Sequence, residues 1–496
     1  MGKVIRKSFY NTIITFVGAL IGYLNVLILF PKIMEASQIG LIRTLQDMAL
    51  LAVPLAQLGT GQSLLKHFPG FEKKKGGEKE VFSIALLITV GGYLLFLALF
   101  FLFQEQIISI YKERAPEVPL YLEVTLILTF VLVVQNLLEA LSRSRLSFVF
   151  IAFAREIIVR VSVAVVLVLY MYEVITFEQT LYFYILPFIL AALSVLVYLN
   201  VRGGTGFSLR FRHIDFPFVR SFFTYGVITV LAAAGTLIVL KVDSIMVSSL
   251  LGLDANGVYT TVFYIAVIVE IPRRIIGQIT TPLISKFFEE DDINNVSVIY
   301  KKSALNLLIV GGLLYLGILV NLENIFRLMP NGDIYRTGWW VVVIVGIGKL
   351  IDMSAGVNSE IIVMSRYYKS NLYFILVLAV MNIGLNLYLI PEYGLEGAAT
   401  GSAISLVVFN LLKFIYIKYQ FGFQPFTVQT LAIIAVGLVA YFASWLLPAM
   451  DIVLLDIAIR SVLVTVIFAG SILLFNLSPE IKKLTNDLLG KVGIKI

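Results

Sequence analysis

Glu270, Arg273 and Arg274 lie within five residues of one another around Pro272, inside the apolar stretch VFYIAVIVEIPRRIIGQITTPLISKFF that runs from residue 262 to 288. A charged side chain at bilayer depth costs about 2.5–3.5 kcal/mol on insertion scales, so it turns toward a partner or a wet cavity. On a helix Glu270 reaches Arg273 at i+3 and Arg274 at i+4, and a self-neutralised structural cluster is one reading. Adjacent arginines point about 100° apart, so one glutamate does not easily serve both. At least one guanidinium is left for something else, and an anion in a central cavity would satisfy it. Pro272 lacks a backbone donor and crowds the turn before it, which predicts a kink here.

Other apolar runs also carry charges in opposed pairs: Arg43 with Asp47, Lys349 with Asp352, Glu156 with Arg160, and Lys241 with Asp243; Glu360 follows Asp352. Each pair reads either as a salt bridge that permits insertion or as part of a route for a charged solute. Their number favours the route, because a bundle that only has to fold gains little from many ionisable groups at depth. Arg43, Arg273, Arg274 and Lys349 are the candidate substrate-binding cations, and Asp47, Glu270, Asp352 and Glu360 the candidate charge partners or coupling groups. Catalytic and metal-binding sets are not suggested. Cysteine is absent, and the only histidines, His67 and His213, fall in basic loops where they read as surface residues. No cofactor motif is present.

A chain of 496 residues that is 59 % hydrophobic and 14 % charged cannot cover itself with polar surface. It is expected to be an all-α polytopic membrane protein, since spanning backbone must satisfy itself and the apolar runs are helix-length rather than alternating strands. Runs long enough for a core of about 30 Å fall at 10–33, 41–65, 81–103, 120–141, 151–172, 181–200, 218–240, 255–285, 303–321, 338–363, 371–390, 395–417, 429–448 and 457–477, giving 14 transmembrane helices. No intervening loop is long enough to house a separate catalytic domain.

Most of the 38 basic residues gather on one face if the N-terminus is inside, including Lys73 to Lys75, Arg202, Arg210, Arg212, Lys301, Lys302, Lys482 and Lys483. Both termini are therefore expected to be cytoplasmic. These basic loops serve topology and anionic lipid heads, and the net charge of +7 implies no nucleic-acid partner. The opening MGKVIRKS before an apolar run imitates a secretory signal, but with no small-residue cleavage site and further spans behind it, it reads as a retained first helix.

Faint repetition divides the chain. SQIGLIRT around Gly40 resembles ANGVYTTV around Gly257, Pro54 corresponds to Pro272, and GGYLLFLAL at 91–99 resembles GGLLYLGIL at 311–319, with offsets of 217, 218 and 220. A nearly constant offset spanning six helices argues for two six-helix lobes related as parallel repeats, at 1–210 and 217–420. An appended helix pair at 427–477 and a cytoplasmic tail at 478–496 have no counterpart.

The sharpest mark is VMNIGLNLYLIPEYGLEGAATGSAIS at 380–405. Asn382 and Asn386 lie one turn apart on a helix expected to stop before Pro391; a turn at Gly394 leads into a helix opening with Gly397, Ala398, Ala399 and Gly401. Small residues at that spacing allow close helix approach. The segment resembles the signature of polysaccharide flippases of the multidrug/oligosaccharidyl-lipid/polysaccharide exporter superfamily, and the likeness extends along the whole chain. The resemblance implies a non-enzymatic flippase moving an undecaprenyl-diphosphate-linked oligosaccharide from the cytoplasmic to the periplasmic leaflet of the bacterial inner membrane by alternating access. It implies as partners that lipid-linked oligosaccharide, membrane lipids, a polysaccharide polymerase and glycosyltransferases. By helix and residue type it maps onto Arg43, Arg273, Arg274 and, more loosely, Lys349. A cation-coupled multidrug antiporter of the same superfamily and a membrane-embedded glycosyltransferase or ligase are the alternatives.

Overall fold

A computed structural model describes residues 2–71, 74, 76–145, 147–202, 206–208 and 210–491. Lys73 and Lys75 of the basic loop, and residues 492–496 of the tail, lie outside the described residues. The described chain is helical throughout, and it divides into two compact units, residues 1–260 and 261–496.

Among the described residues nine helices are long and apolar enough to cross a membrane, or ten if the bent pair Trp339–Ser354 and Asn358–Met364 is one span. The remaining expected spans are present as interrupted or shorter helices. The 151–172 run continues through a π-turn at Ala154–Ile158 and carries Arg155, Glu156 and Arg160, and the 255–285 run is interrupted by a 3-10 turn at Ile268–Glu270. The appended run at 429–448 forms a helix of only 17 residues, Val428–Ser444. The runs 371–390 and 395–417 form two helices, within Lys369–Phe421, folded back on each other at Gly394, so that Ser370 Oγ lies 2.7 Å from the Tyr416 hydroxyl. Here the helix continues past Pro391 instead of stopping before it. Proline removes a single hydrogen bond near a helix end, whereas the backbone of Gly394 (φ 58°, ψ −134°) turns the chain in a region that side chains disfavour.

Large apolar side chains such as Leu94, Phe101, Val380 and Leu438 are exposed, the inverse of a water-soluble surface and what lipid as solvent allows. In the first unit Ala36–Gln57 and Val118–Ser144 are the most enclosed spans. Gly40 and Gly257 permit a very close crossing there: a Cβ on Gly40 would lie 1.9 Å from the Leu253 carbonyl oxygen, and one on Gly257 would lie 1.9 Å from that of Ala36. Asn256 Nδ2 fastens the crossing by donating to Thr44 Oγ1 at 2.9 Å.

In the second unit Ile293–Val320 packs against the helices Val428–Ser444 and Val453–Leu474 through Leu308, Leu316, Ile433, Val464 and Phe468. Arg460 closes that pair. It holds Asp456 through Nε at 2.9 Å and donates to the carbonyl of Ser444, which ends the preceding helix, and to those of Leu447 and Pro448 just beyond it.

Candidate functional site

The helix Ile271–Glu289 starts immediately after the 3-10 turn, with Pro272 in its first turn, where the missing N–H costs least. The 3-10 turn interrupts the α-helix just ahead of the proline and leaves Arg273 and Arg274 in the first turn that follows. Their divergent directions send them to different environments. Arg273, 13 % exposed, bridges Asp352 at 2.5 Å, whereas Arg274 is 65 % exposed and meets Glu270 only through Nε at 3.7 Å.

Lys349 and Asp352 stand at i and i+3 on the facing helix, but they do not neutralise each other. Lys349 Nζ lies 2.6 Å from Glu270 Oε2, and Asp352 takes Arg273. Glu270 and Arg273 are also three apart, so two i,i+3 pairs of reversed sign face each other and form two interhelical bridges.

Asp352 lies just before a break in its helix. Trp339–Ser354 and Asn358–Met364 meet at a 49° bend, where Gly356 adopts φ +63°. Two side chains hold both halves across this bend. Arg273 Nη1 bridges Asp352 while Nη2 donates to Ser359 Oγ at 3.4 Å. Asn410 Nδ2 donates to Asp352 Oδ1 at 2.8 Å, and its Oδ1 accepts from Asn358 Nδ2 at 2.8 Å. Lys413, 1 % exposed, donates to Ser359 Oγ at 2.6 Å and lies 3.5 Å from the centre of the Phe409 ring. Ser359 completes its own capacity by donating to Asn358 Oδ1 at 3.3 Å.

Glu360 is the remaining carboxylate. Its Oε2 is buried without a hydrogen bond to the described protein, and a Cβ on Gly277 would lie 2.8 Å from its Oε1. By formal charge the cluster sets the cations Arg273, Arg274, Lys349 and Lys413 against the carboxylates Glu270, Asp352 and Glu360, one more cation than carboxylate. The least engaged cation is Arg274.

The other expected residues lie in the first unit. Asp47 bridges Lys241 at 2.7 Å, Arg43 donates to Gln46 at 3.1 Å and lies 5.1 Å from the Phe30 ring centre, and Asp243 accepts from Tyr259 at 3.1 Å. Asp47 is thus bridged from another helix, by Lys241. Glu156 and Arg160 do pair along their helix, at 2.6 Å. Lys413, Asn410, Asn358 and Ser359 are not among the residues that sequence patterns single out. Asn410 and Lys413 do carry a faint signal: two polar residues three apart, hence on one face, within an apolar run.

The 380–405 segment forms the expected close approach. Asn386 Nδ2 donates to Asn382 Oδ1 at 2.7 Å and Asn382 Nδ2 to Ser402 Oγ at 3.2 Å, while a Cβ on Gly397 would lie 2.0 Å from the Leu389 carbonyl oxygen.

Helical, multi-span and built around paired intramembrane charges, the molecule has the form of a membrane transporter rather than an enzyme. The chain belongs to the polysaccharide biosynthesis protein family, whose model matches residues 4–288. Its fold is similar to that of the lipid II flippase MurJ in an inward closed conformation, with a TM-score of 0.73 at 13 % identity over 94 % of this chain and 99 % of that one. It is also similar to an inward-facing multidrug resistance MATE family transporter of the MOP superfamily, with a TM-score of 0.64 at 15 % identity over 82 % of this chain and 94 % of that one. A MOP superfamily transporter from Pyrococcus furiosus, described as having a binding pocket of reversed polarity, gives a TM-score of 0.53 at 13 % identity over 84 % and 93 % of the two chains. No curated protein sequence matches the chain.

Proposed function

We propose that this protein flips an undecaprenyl-diphosphate-linked oligosaccharide from the cytoplasmic to the periplasmic leaflet of a bacterial inner membrane, by alternating access, for cell-surface polysaccharide biosynthesis. The observation that carries the reading is Arg274: a guanidinium 65 % exposed, loosely held by Glu270, beside Lys349, in a cluster with one more cation than carboxylate by formal charge. A planar fork of that kind suits two oxygens of a diphosphate. Arg274 and Lys349 are its contacts in this reading, Arg273 is held in reserve by Asp352 as a positioning group, and Arg43 is a further cation on the route. Asp47, Asp352 and Glu360 are charge partners available to couple an ion. An antiporter for cationic compounds would need the opposite excess of charge at this cluster.

The family and the flippase-like fold support the substrate class. Counting each interrupted element as a span and dividing Lys369–Phe421 at Gly394 gives fourteen crossings, hence both termini on one face, and the basic loops favour the cytoplasm. The reciprocal crossing of Gly40 and Gly257 supports duplicated lobes at 1–210 and 217–420, with 427–477 appended. A polysaccharide polymerase and glycosyltransferases are the expected neighbours in the pathway. The test is complementation: cells lacking their own flippase should regain surface glycan when they express this chain together with the enzymes that assemble its substrate. Accumulation of unexported lipid-linked oligosaccharide despite normal membrane levels of the protein would refute it.

A further inference from the structure

Lys349 and Arg274 come from different helices yet meet on the same carboxylate, one on each oxygen. Lys349 Nζ stands 2.6 Å from Glu270 Oε2 and Arg274 Nε 3.7 Å from Oε1. A carboxylate in that position makes the contacts that an oxyanion bridging the two cations would make.

We propose that Glu270 is an internal competitor for the substrate's anion: it occupies Lys349 and Arg274 when the site is empty, is displaced when the diphosphate arrives, and returns to eject it. This rests on the reading of Arg274 and Lys349 as diphosphate contacts, and adds that the protein carries its own displacing group.

Three features fit displacement better than a permanent bridge. Arg274 is mostly exposed, and its terminal nitrogens hydrogen-bond to nothing among the described residues, so its fork is available without breaking any other contact. Glu270 occupies the N-cap position of Ile271–Glu289 yet makes no side-chain cap bond. Among the described residues the two cations are thus the carboxylate's only side-chain partners. Lastly, Arg273 is tied to Asp352 and Ser359, so displacement of Glu270 leaves the helix anchored.

The energetic logic follows from linkage. A ligand that must displace a resident anion binds more weakly by the free energy of that anion's own contact, and the same amount assists its release. A carrier that held a diphosphate with two unopposed cations would bind it on one side of the membrane and fail to release it on the other, since uniformly tight binding does not raise turnover.

The experiment measures binding of inorganic pyrophosphate to the purified full chain by titration calorimetry, with glycan export of the same variants normalised to membrane abundance. Glu270→Gln should bind pyrophosphate about fivefold or more tightly than the natural protein while exporting less glycan. Glu270→Asp, which keeps the charge but withdraws it by one methylene, should fall between them and guards against misfolding of the glutamine variant. Equal or weaker binding by Glu270→Gln, with binding still lost in Lys349→Gln, overturns the competitor role and leaves the diphosphate site standing. Absence of binding in both the natural protein and Glu270→Gln, or binding indifferent to Lys349→Gln and Arg274→Gln, removes the site and the competitor together.

Discussion

Gly40 and Gly257 sit 217 residues apart and each receives the backbone of the other's segment. Gly40 faces the carbonyl of Leu253, Gly257 faces that of Ala36, and Leu253 and Ala36 are themselves 217 apart. Residue i against j′ and i′ against j is the signature of a local two-fold arrangement, as at an isologous interface. The offset that the sequence repeat displays is therefore also the offset of the contact.

Both glycines are required by distance rather than by dihedral angle. Gly40→Ala or Gly257→Ala should destabilise the protein by about 3 kcal/mol, at the upper end of overpacking costs, because the obstructing atom is a backbone carbonyl oxygen that cannot swing aside. Gly91→Ala, where a Cβ meets nothing within 4 Å, should be neutral or stabilising by about 0.5 kcal/mol. Melting temperatures of the three variants in one detergent check this.

Arg273 and Arg274 should separate by phenotype. Arg273→Gln leaves Asp352 buried opposite Asn410 alone, and breaking a buried pair costs about 3–5 kcal/mol, so membrane abundance should fall. Arg274→Gln removes an exposed group and should leave abundance near normal while export drops. Quantitative immunoblotting alongside export distinguishes them; equal loss of abundance in both would place Arg274 in the fold.

Lys413 and Glu360 should behave as a compensating pair. Lys413→Met removes a buried cation that offsets Asp352 and Glu360, whereas Glu360→Gln in the same chain removes one of those two carboxylates as well. The single change should lower stability and the double change recover it, with a coupling of about 1 kcal/mol or more in a double-mutant cycle. Additive effects would show that the two charges do not sense each other.

The helix Pro479–Lys491 should loosen in acid. Lys302 Nζ, 2.6 Å from Glu480 Oε1, holds the Glu480 carboxyl below its ordinary value by hydrogen bonding. A lowered folded pKa means that the contribution is complete above the ordinary glutamate range, about 4.3, and is lost as pH falls through the folded value. Since the chain has no cysteine, a fluorophore on Asn486→Cys reports docking through its anisotropy. Anisotropy should fall with acid below that range in the natural background, and the dependence should vanish in Lys302→Gln.

Much of this architecture is legible in the amino-acid sequence. Long apolar runs can satisfy their backbone only as helices, so the fold class follows from composition; the interruption just ahead of Pro272 and the close approach at Gly397 follow from residues whose backbone requirements are local. The pairing of charges is not legible in the same way. Sequence places Lys349 beside Asp352 and Arg43 beside Asp47 as helical neighbours, whereas the bridges of Lys349, Asp352 and Asp47 run to Glu270, Arg273 and Lys241, because which helix faces which is a tertiary matter. Lys413 is hidden for the same reason: a lone lysine in an apolar run looks like an end-of-span anchor until its burial against Ser359 and Phe409 is seen. The π-turn at Ala154–Ile158 has no proline or glycine to announce it.

The most direct measurement is the initial rate at which a lipid-diphosphate-linked oligosaccharide crosses the bilayer of liposomes containing the purified chain. The natural protein should move it well above the rate of protein-free liposomes. Arg274→Lys, which keeps the charge but loses the planar fork, should slow it about tenfold at equal incorporation. No movement above the protein-free rate, or an undiminished rate in Arg274→Lys, would contradict flipping by diphosphate recognition at this cluster.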